Sequence, residues 1–354
     1  MAGVKTKVFL VDDSAFFRRT LESLLGRFEQ VEVVGLARNG KEALAKLTNL
    51  ETDLVIMDIN MPVMDGLETL KQIRELELPV RVVVLSGHTR RKVENTVSAL
   101  LLGAEDFVVK PSKNEAGANE EALISALREI VERPAEARRK RWKSAQRPSP
   151  APRASRPERE WSALVIASST GGPKVLYQLF ETLPRIYQPI FIAQHMPEEF
   201  TSALASQLNA RGSNLVKEAE HGERIRPNTT YLARGNHHLR VCRQEDHLVV
   251  TLDQAARVNH CRPSADVLFR SAARCYGQSC LGLVLTGMGH DGLEGARALS
   301  NAGGEILAQD RESCVVWGMP KAVVEAGIAR QVELASLAEL LSRKLKTKTI
   351  SESG

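Results

Sequence analysis

Three residue types that together carry out acyl transfer stand at the ends of apolar runs in the second half of this sequence. The run "LVIASSTGGP" contains Ser168 and Ser169, "IFIAQH" ends at His195, and "LGLVLTGMGHD" ends at Asp291. A serine nucleophile, a histidine base and an aspartate that orients the histidine are the parts of a catalytic triad. Each alone has a plainer explanation, such as a helix N-cap for Asp291, but their joint occurrence favours catalysis. His290 is a competing base, although side chains of adjacent residues in a turn rarely face each other.

The turn after the first of these runs is suited to presenting a nucleophile. A phosphate-binding loop would bring a lysine or a longer glycine-rich segment, and neither is present. A sharp strand-to-helix turn needs small residues on both sides of the nucleophile, and residues 167–171 fit that pattern only with Ser169 at the centre. We expect backbone donors for an oxyanion at the start of the following helix, at Thr170, and in the "TGMGHDG" loop, at Met288.

Charged residues also stand at strand ends in the first half of the chain. Its first apolar run ends at Asp12 and Asp13, the third at Asp58, the fourth at Ser86 and the fifth at Lys110. Carboxylates that meet in one crevice repel each other and bind a hard divalent cation, and oxygen ligands favour Mg²⁺. With a lysine to compensate charge, this is the set that an aspartate needs to accept a phosphoryl group.

Apolar strands that alternate with helical patterns must position both sets of residues. In the first half the strands are "KVFLVDD", "VEVVGLA", "DLVIMD", "VRVVVLS" and "AEDFVVK", and the segments between them carry apolar residues at helical spacing. Such strands with helical crossovers predict a doubly wound, five-stranded parallel sheet. The second half predicts another α/β domain, with a mostly parallel sheet and antiparallel strand pairs in its middle. In parallel sheets, function gathers at the carboxyl ends of the strands.

Residues 133–160 have the composition of a flexible linker. They contain ten Lys or Arg, three Asp or Glu and five Pro, with few apolar residues. The whole chain has a net charge of +5, so the linker accounts for the basic excess, and we expect no nucleic-acid partner. The predicted domains are therefore residues 1–132 and residues 161–347.

The composition also indicates the cellular compartment in which we expect the protein. No apolar run approaches the roughly 20 residues of a membrane helix, and the N-terminus lacks the pattern of a signal peptide. The five cysteines form no CxxC pair, which is typical of a reduced protein. We expect a cytoplasmic monomer without membrane insertion.

The first half resembles the receiver domain of bacterial response regulators, on the segments "VDDS", "MDINMPVMDG", "LSG" and "VVKP" within residues 5–132. The resemblance implies that Asp58 takes a phosphoryl group from a histidine kinase. It assigns further residues to this site: the Mg²⁺ ligands Asp12, Asp13, Asp58 and Asn60, the last through its carbonyl, and the phosphoryl contacts Ser86 and Lys110.

The second half resembles the catalytic domain of chemotaxis protein-glutamate methylesterases. The matching segments include "ASSTGGP", "AQHMP", "RPSADVLF", "LTGMGHDG" and "LAQDRESCVVWGMP". The resemblance implies a phosphorylation-activated hydrolase that removes methyl esters from glutamates of chemoreceptors, deamidates receptor glutamines and needs no cofactor in this domain. Cys261 stands at a variable position and has no assigned role.

Two other functions compete with this one. A response regulator with a DNA-binding output is disfavoured, because residues 161–354 contain no helix-turn-helix pattern or basic recognition helix. A hydrolase that acts on the receptors of another signalling pathway is equally compatible with the sequence.

Overall fold

The chain divides into two compact units, residues 1–140 and residues 141–354. The computed structural model describes residues 5–87, 89–110, 118–131 and 160–346. The predicted linker, apart from Glu160, lies outside these residues, so the predicted domain bounds remain a prediction.

The first unit is a five-stranded parallel sheet with helices on both faces. Its strands are β1 (Thr6–Val11), β2 (Val31–Ala37), β3 (Leu54–Asp58), β4 (Arg81–Ser86) and β5 (Asp106–Val109). Its helices are α1 (Ala15–Leu25), α2 (Gly40–Leu47), α3 (Gly66–Glu75), α4 (Arg90–Leu102) and α5 (Ala118–Val131). The strand order β2-β1-β3-β4-β5, with every pair parallel, confirms the predicted doubly wound fold.

Alternation along the strands explains why both faces of this sheet are covered. Side chains such as Val8 and Leu10 of β1 point to one face, where they pack with Leu21 of α1 and Leu127 of α5. Because successive side chains of a strand point to opposite faces, Phe9 lies on the other side, and it is fully buried. The near-continuous apolar runs of the sequence therefore reflect burial on both faces.

The second unit contains a seven-stranded parallel sheet and a separate antiparallel hairpin. The strands of the sheet are β6 (Ala163–Ser168), β7 (Ile190–Gln194), β8 (Leu215–Glu218), β9 (Thr229–Leu232), β12 (Cys280–Val284), β13 (Glu305–Gln309) and β14 (Ala329–Val332), and those of the hairpin are β10 (His238–Gln244) and β11 (His247–Asp253). The helices are α6 (Gly172–Thr182), α7 (Glu198–Arg211), α8 (Ala265–Tyr276), α9 (Leu293–Asn301), α10 (Met319–Glu325) and α11 (Leu334–Lys344). The hairpin is the antiparallel element that the sequence predicted.

The strand order of this sheet places three strands with chemically active ends side by side. The order is β14-β13-β12-β6-β7-β9-β8, so β6 lies between β12 and β7. The strands are parallel, and their carboxyl ends therefore meet at one edge of the sheet. One face of the sheet packs on α8 and α9, where Leu268, Phe269 and Leu299 are fully buried.

The two edge strands of the sheet, β8 and β14, were not predicted. Each has four residues and pairs on one side only. Their sequences, "LVKE" and "ARQV", are half polar and only partly buried, because an edge strand has solvent on one side. Such short polar segments carry no periodic signal.

None of the helices in the described part of the chain could cross a membrane. The longest of them, α5 and α7, have 14 residues each. A bilayer span needs about 20 apolar residues.

We expect the core of the second unit to be disrupted by Leu268→Ala without effect on the first unit. Leu268 is fully buried on α8, and removal of such a side chain costs about 2–5 kcal/mol. Urea unfolding of the full chain, followed by separate spectroscopic probes in each unit, should show one transition weakened and the other unchanged. Leu215→Ala, at a half-exposed position of β8, is the matched control and should change stability by at most about 0.5 kcal/mol. A loss shared equally by both units would contradict their independence.

Candidate active site

The turn between β6 and α6 separates a buried serine from an accessible one. Ser168 ends the strand and is fully buried, whereas Ser169 is half-buried. The backbone of Gly171 has φ of 76°, a left-handed conformation that glycine adopts without strain. A Cβ on Gly172 would lie 2.0 Å from Oγ of Ser168, so only glycine allows the helix to start this close to the strand. Pro173 stands in the first turn of the helix, as the sequence predicted.

His195 follows β7 directly and contacts the aspartate that follows β12. Its Nε2 lies 2.8 Å from Oδ2 of Asp291, and its side chain is 14% exposed. Its backbone N–H donates to the carbonyl of Ser168 at 2.9 Å, which ties the ends of β6 and β7 together. The structure therefore brings His195 and Asp291 into direct contact beside the serine turn. His290, the competing base, is exposed.

The carboxylate of Asp291 is buried and accepts hydrogen bonds from several donors. Ser264 Oγ donates to it at 2.7 Å, the N–H of Ala265 at 2.6 Å and Nδ2 of Asn259 at 2.9 Å. Burial alone would raise the pKa of Asp291, but the hydrogen bonds from His195, Ser264 and Asn259 outweigh burial and lower this pKa to about 2. Asp291 is thus an ionised acceptor, and Nε2 of His195 carries the hydrogen of their bond.

Asp291 caps a different helix from the one that the sequence suggested. Its plainer explanation was an N-cap of the helix "DGLEGARAL", but the residue that precedes this helix, α9, is Gly292. Asp291 instead accepts from the first N–H groups of α8, at Ala265 and more weakly at Asp266. Asp266 in turn accepts from the N–H of Gly295 at 2.6 Å, in the first turn of α9. Asp291 thus caps α8, and Asp266 caps α9. The positive N-terminal end of α8 stabilises the charge of Asp291.

Cys261, to which the sequence analysis assigned no role, is part of this site. Its Sγ lies 3.5 Å from Nδ1 of His195, on the side of the ring opposite the bond to Asp291. Burial alone would lower the pKa of His195, but the bonds to Asp291 and Cys261 outweigh burial and raise this pKa to about 9. Within residues 160–346, the structure records no hydrogen bond between Oγ of Ser169 and His195. The signal in the sequence was weak, because Cys261 lies in a loop before α8 and follows no strand.

Gln194 joins the serine turn to the histidine, and it too was not singled out. It is the last residue of β7 and is almost fully buried. Its Nε2 donates at 3.0 Å to the carbonyl of Ser169 and also at 3.0 Å to the carbonyl of His195. One buried amide therefore fixes the backbones of both residues.

The "TGMGHDG" loop passes close to the serine turn. A Cβ on Gly287 would lie 2.8 Å from Cβ of Ser169, so Met288, the next residue, adjoins the turn. The N–H of Ser169 donates to the carbonyl of Thr286 at 3.1 Å, and Oγ1 of Thr286 donates to the carbonyl of Thr170 at 3.0 Å. These bonds hold Thr286 against the serine turn, and Thr170 and Met288 remain the predicted oxyanion donors.

The acidic residues of the first unit converge at the carboxyl edge of its sheet. Carboxylate oxygens of Asp12, Asp13 and Asp58 all lie within 4.8 Å of one another. Nζ of Lys110 donates to Asp12 at 2.5 Å and to Asp58 at 2.6 Å. Burial raises the pKa of Asp12, although the bonds from Lys110 oppose this effect. The cluster therefore sets three carboxyl groups against one lysine.

The other two residues predicted for this cluster lie beside Asp58. The N–H of Asn60 donates to Oδ1 of Asp58 at 3.2 Å. Ser86 ends β4, the strand next to β3, and is buried. Its Oγ accepts from Oγ1 of Thr96 at 2.7 Å.

Comparison with known proteins connects both units to one family. The CheB methylesterase family matches residues 164–341, and the response regulator receiver domain matches residues 8–120. A protein-glutamate methylesterase/protein-glutamine glutaminase of Trichodesmium erythraeum is 38% identical over 96% of this chain and 99% of its own length. A relative with the same name from a Nocardioides species is 42% identical over 94% of this chain and 92% of its own length.

A solved structure gives the same result for the second unit. The crystal structure of the CheB methylesterase catalytic domain of Thermotoga maritima is 40% identical, with a TM-score of 0.50, and it covers 51% of this chain and 97% of its own. Three findings agree: the sequence identity over nearly the full length, a family match in each unit, and this structural match. The chain belongs to the protein-glutamate methylesterase/protein-glutamine glutaminase family, with a response regulator receiver domain in front of a CheB methylesterase domain.

Proposed function

We propose that this chain hydrolyses the methyl esters of glutamate side chains on chemoreceptors and deamidates receptor glutamines, under the control of phosphorylation. The observation that carries this proposal is the contact of His195 with the buried carboxylate of Asp291, beside the Ser169 turn. A nucleophile, a base and an orienting carboxylate at three neighbouring strand ends suit acyl transfer. Membership of the family supplies the substrate class.

The geometry supports a division of roles for each step. Oγ of Ser169 attacks the ester carbonyl, and Nδ1 of His195 takes the hydroxyl proton, because Nε2 is already bonded to Asp291. The N–H groups of Thr170 and Met288 are the proposed donors to the oxyanion. His195 then gives the proton to the leaving methoxide, which departs as methanol. Water hydrolyses the acyl-serine by the same proton transfers, and a glutamine side chain reacts likewise with ammonia as the leaving group.

Asp291 stabilises the imidazolium that forms on His195 during these transfers. An ionised carboxylate held by three other donors keeps a fixed position, so it fixes both the tautomer and the orientation of the ring. Its burial strengthens this interaction, because few water molecules can screen the two charges.

The acidic cluster of the first unit suits phosphorylation at Asp58. The oxygens of Asp12, Asp13 and Asp58, with the carbonyl of Asn60, are the proposed ligands of Mg²⁺, and this hard donor set fits that ion. Mg²⁺ supplies charge neutralisation at the transferring phosphoryl group. Lys110 already contacts Asp58 and would contact a phosphoryl oxygen, and the hydroxyl of Ser86, at the end of the neighbouring strand, is the second proposed contact.

The proposed partners follow from these two sites. A histidine kinase supplies the phosphoryl group, and methylated chemoreceptors are the substrate. We place the protein in the cytoplasm, which agrees with its five unpaired cysteines. Its action as a monomer remains a prediction from the sequence.

Replacement of the nucleophile should abolish hydrolysis. Ser169→Ala removes the attacking hydroxyl, and the loss of a serine nucleophile costs on the order of 10⁶ in rate in a comparable triad enzyme. Methanol release from methylated receptor membranes measures the effect. The matched control is Ser168→Ala. Because the hydroxyl of the neighbouring Ser168 is buried, its removal should leave the rate within about tenfold of wild type. If Ser168→Ala is the inactive variant, the assignment of the nucleophile is wrong.

The orienting carboxylate should matter for rate more than for substrate affinity. Asp291→Asn replaces an acceptor of His195 by a neutral amide, and the analogous change in a known triad lowers kcat about 10⁴-fold. We expect a large fall in kcat with a nearly unchanged KM, measured by methanol release. Asp253→Asn, which alters a partly exposed carboxylate bonded to Arg240, is the control. A fall of less than about threefold in kcat for Asp291→Asn would assign this residue to helix capping alone.

Phosphorylation should occur on Asp58 and require Mg²⁺. Incubation of the full chain with a small-molecule phosphodonor should add one phosphoryl group to the wild type and none to Asp58→Ala, as measured by intact mass. A chelator should prevent the addition, because the carboxylate cluster then lacks its compensating cation. The phosphodonor should also raise the esterase rate of the wild type only. Full labelling of Asp58→Ala would overturn the assignment.

A further inference from the structure

The side of His195 that faces away from Asp291 is occupied by a second metal-binding side chain. Sγ of Cys261 lies 3.5 Å from Nδ1 of His195, and His195, Cys261 and Asp291 form a cluster of metal-binding side chains. When the ring of His195 is neutral, Nε2 carries the hydrogen of the bond to Asp291 and the lone pair is on Nδ1. An imidazole lone pair and a thiol therefore face each other.

The spacing of these two atoms suits a shared metal ion. Zinc binds thiolate sulfur at about 2.3 Å and imidazole nitrogen at about 2.0–2.1 Å, in tetrahedral geometry. Two ligand atoms at these lengths and at a tetrahedral angle are separated by about 3.6 Å. The observed separation is 3.5 Å. The distance between the two atoms is therefore compatible with one ion bonded to both.

The surroundings of His195 also match those of a metal ligand. A histidine that binds a metal through one nitrogen usually donates its other N–H to a carboxylate, which fixes the tautomer and the ring. Asp291 provides that carboxylate at 2.8 Å and is itself held by Ser264 and Asn259. This second observation does not depend on the position of Cys261.

The loop that carries Cys261 is fixed rather than loose. Val258 and Cys261 exchange two backbone hydrogen bonds, at 2.9 and 3.2 Å, across a tight turn. Both residues inside the turn are left-handed without being glycine, with φ of 51° for Asn259 and 63° for His260. The side chain of Asn259 donates to Asp291, so the turn and the histidine are held by the same carboxylate. Cys261 is partly exposed, which leaves a path for an ion.

We propose that Sγ of Cys261 and Nδ1 of His195 form an inhibitory site for zinc. On binding, Sγ of Cys261 and Nδ1 of His195 release the protons that they carry to solvent, and the thiolate and the neutral imidazole each form one bond to the ion. Two protein ligands leave the other positions to water, so the ion exchanges and is not a resident cofactor. The inhibition rests on the proposed function, because zinc takes the lone pair that would accept the proton of Ser169. Mg²⁺ prefers oxygen ligands and should not bind here.

Spectroscopy with cobalt tests the metal site independently of esterase activity. Co²⁺ replaces zinc in such sites, and a thiolate ligand gives a charge-transfer band in the near ultraviolet that oxygen ligands do not give. The full chain, with Mg²⁺ in excess to fill the acidic cluster of the first unit, should show this band on addition of Co²⁺. Cys261→Ser should lose it. Cys242→Ser and Cys275→Ser, which change cysteines of similar burial, should keep it.

Inhibition is measured by methanol release with zinc alone as the added ion. Zinc should inhibit the wild type and both control variants, and a chelator should restore the rate of each. Half-inhibition of Cys261→Ser should need at least about tenfold more zinc than half-inhibition of the wild type. Each variant is compared with its own rate without zinc. An absent thiolate band, a band retained in Cys261→Ser, or equal zinc sensitivity of Cys261→Ser would overturn the proposal. If the chain releases no methanol at all, the proposed function fails while the cobalt spectrum still decides the metal site.

Discussion

The buried carboxylate of Asp291 is the interaction on which the rest of the candidate active site depends. It orients His195, it satisfies the first N–H group of α8, and it holds the Asn259 turn. The loss of a donor would leave this buried charge less well paired, and an unpaired buried charge is very costly. The helix, the turn and the histidine are therefore fixed relative to one another by one side chain. Acyl transfer at this edge of the sheet therefore depends on the positions that Asp291 fixes.

The sheet topology supplies the second constraint. Because β6 lies between β12 and β7, the serine turn is flanked by the histidine on one side and by the aspartate loop on the other. Gln194 then links the serine and histidine backbones through one buried amide. Preorganised groups of this kind lower the cost of reaching a reactive geometry. Cys261 lies against the histidine because the Asn259 turn holds it there, and a zinc ion at this position would compete with the nucleophile's proton for the same lone pair.

The fold could be predicted from the sequence because both sheets are buried on two faces. Runs such as those around Val8 and Ile166 are almost continuously apolar, and they end in polar residues at the functional edge of each sheet. The sequence therefore indicated the strand ends and the order Ser, His, Asp. It did not indicate β8 or β14, since short edge strands are half solvated and lack a periodic pattern.

Contacts between distant loops could not be predicted in the same way. The sequence suggested that Asp291 could cap the helix that follows it, whereas it caps α8, 26 residues away along the chain. Cys261 sits in a turn whose position follows from hydrogen bonds of Asn259, and such bonds leave no trace in hydrophobic spacing. The long-range partners of single polar residues depend on the assembled fold, so only the structure shows them.

If Ser169 is the nucleophile activated by His195 and Asp291, it is the residue that should react with a serine-directed reagent. The full chain would be treated with a fluorophosphonate, which forms a stable adduct with an activated serine, and the modified residue would be located by peptide mass analysis. We expect one adduct, on Ser169, and none on the same residue in Asp291→Asn within the same time. An adduct on Ser168 or on Cys261, with Ser169 unmodified, would contradict this expectation.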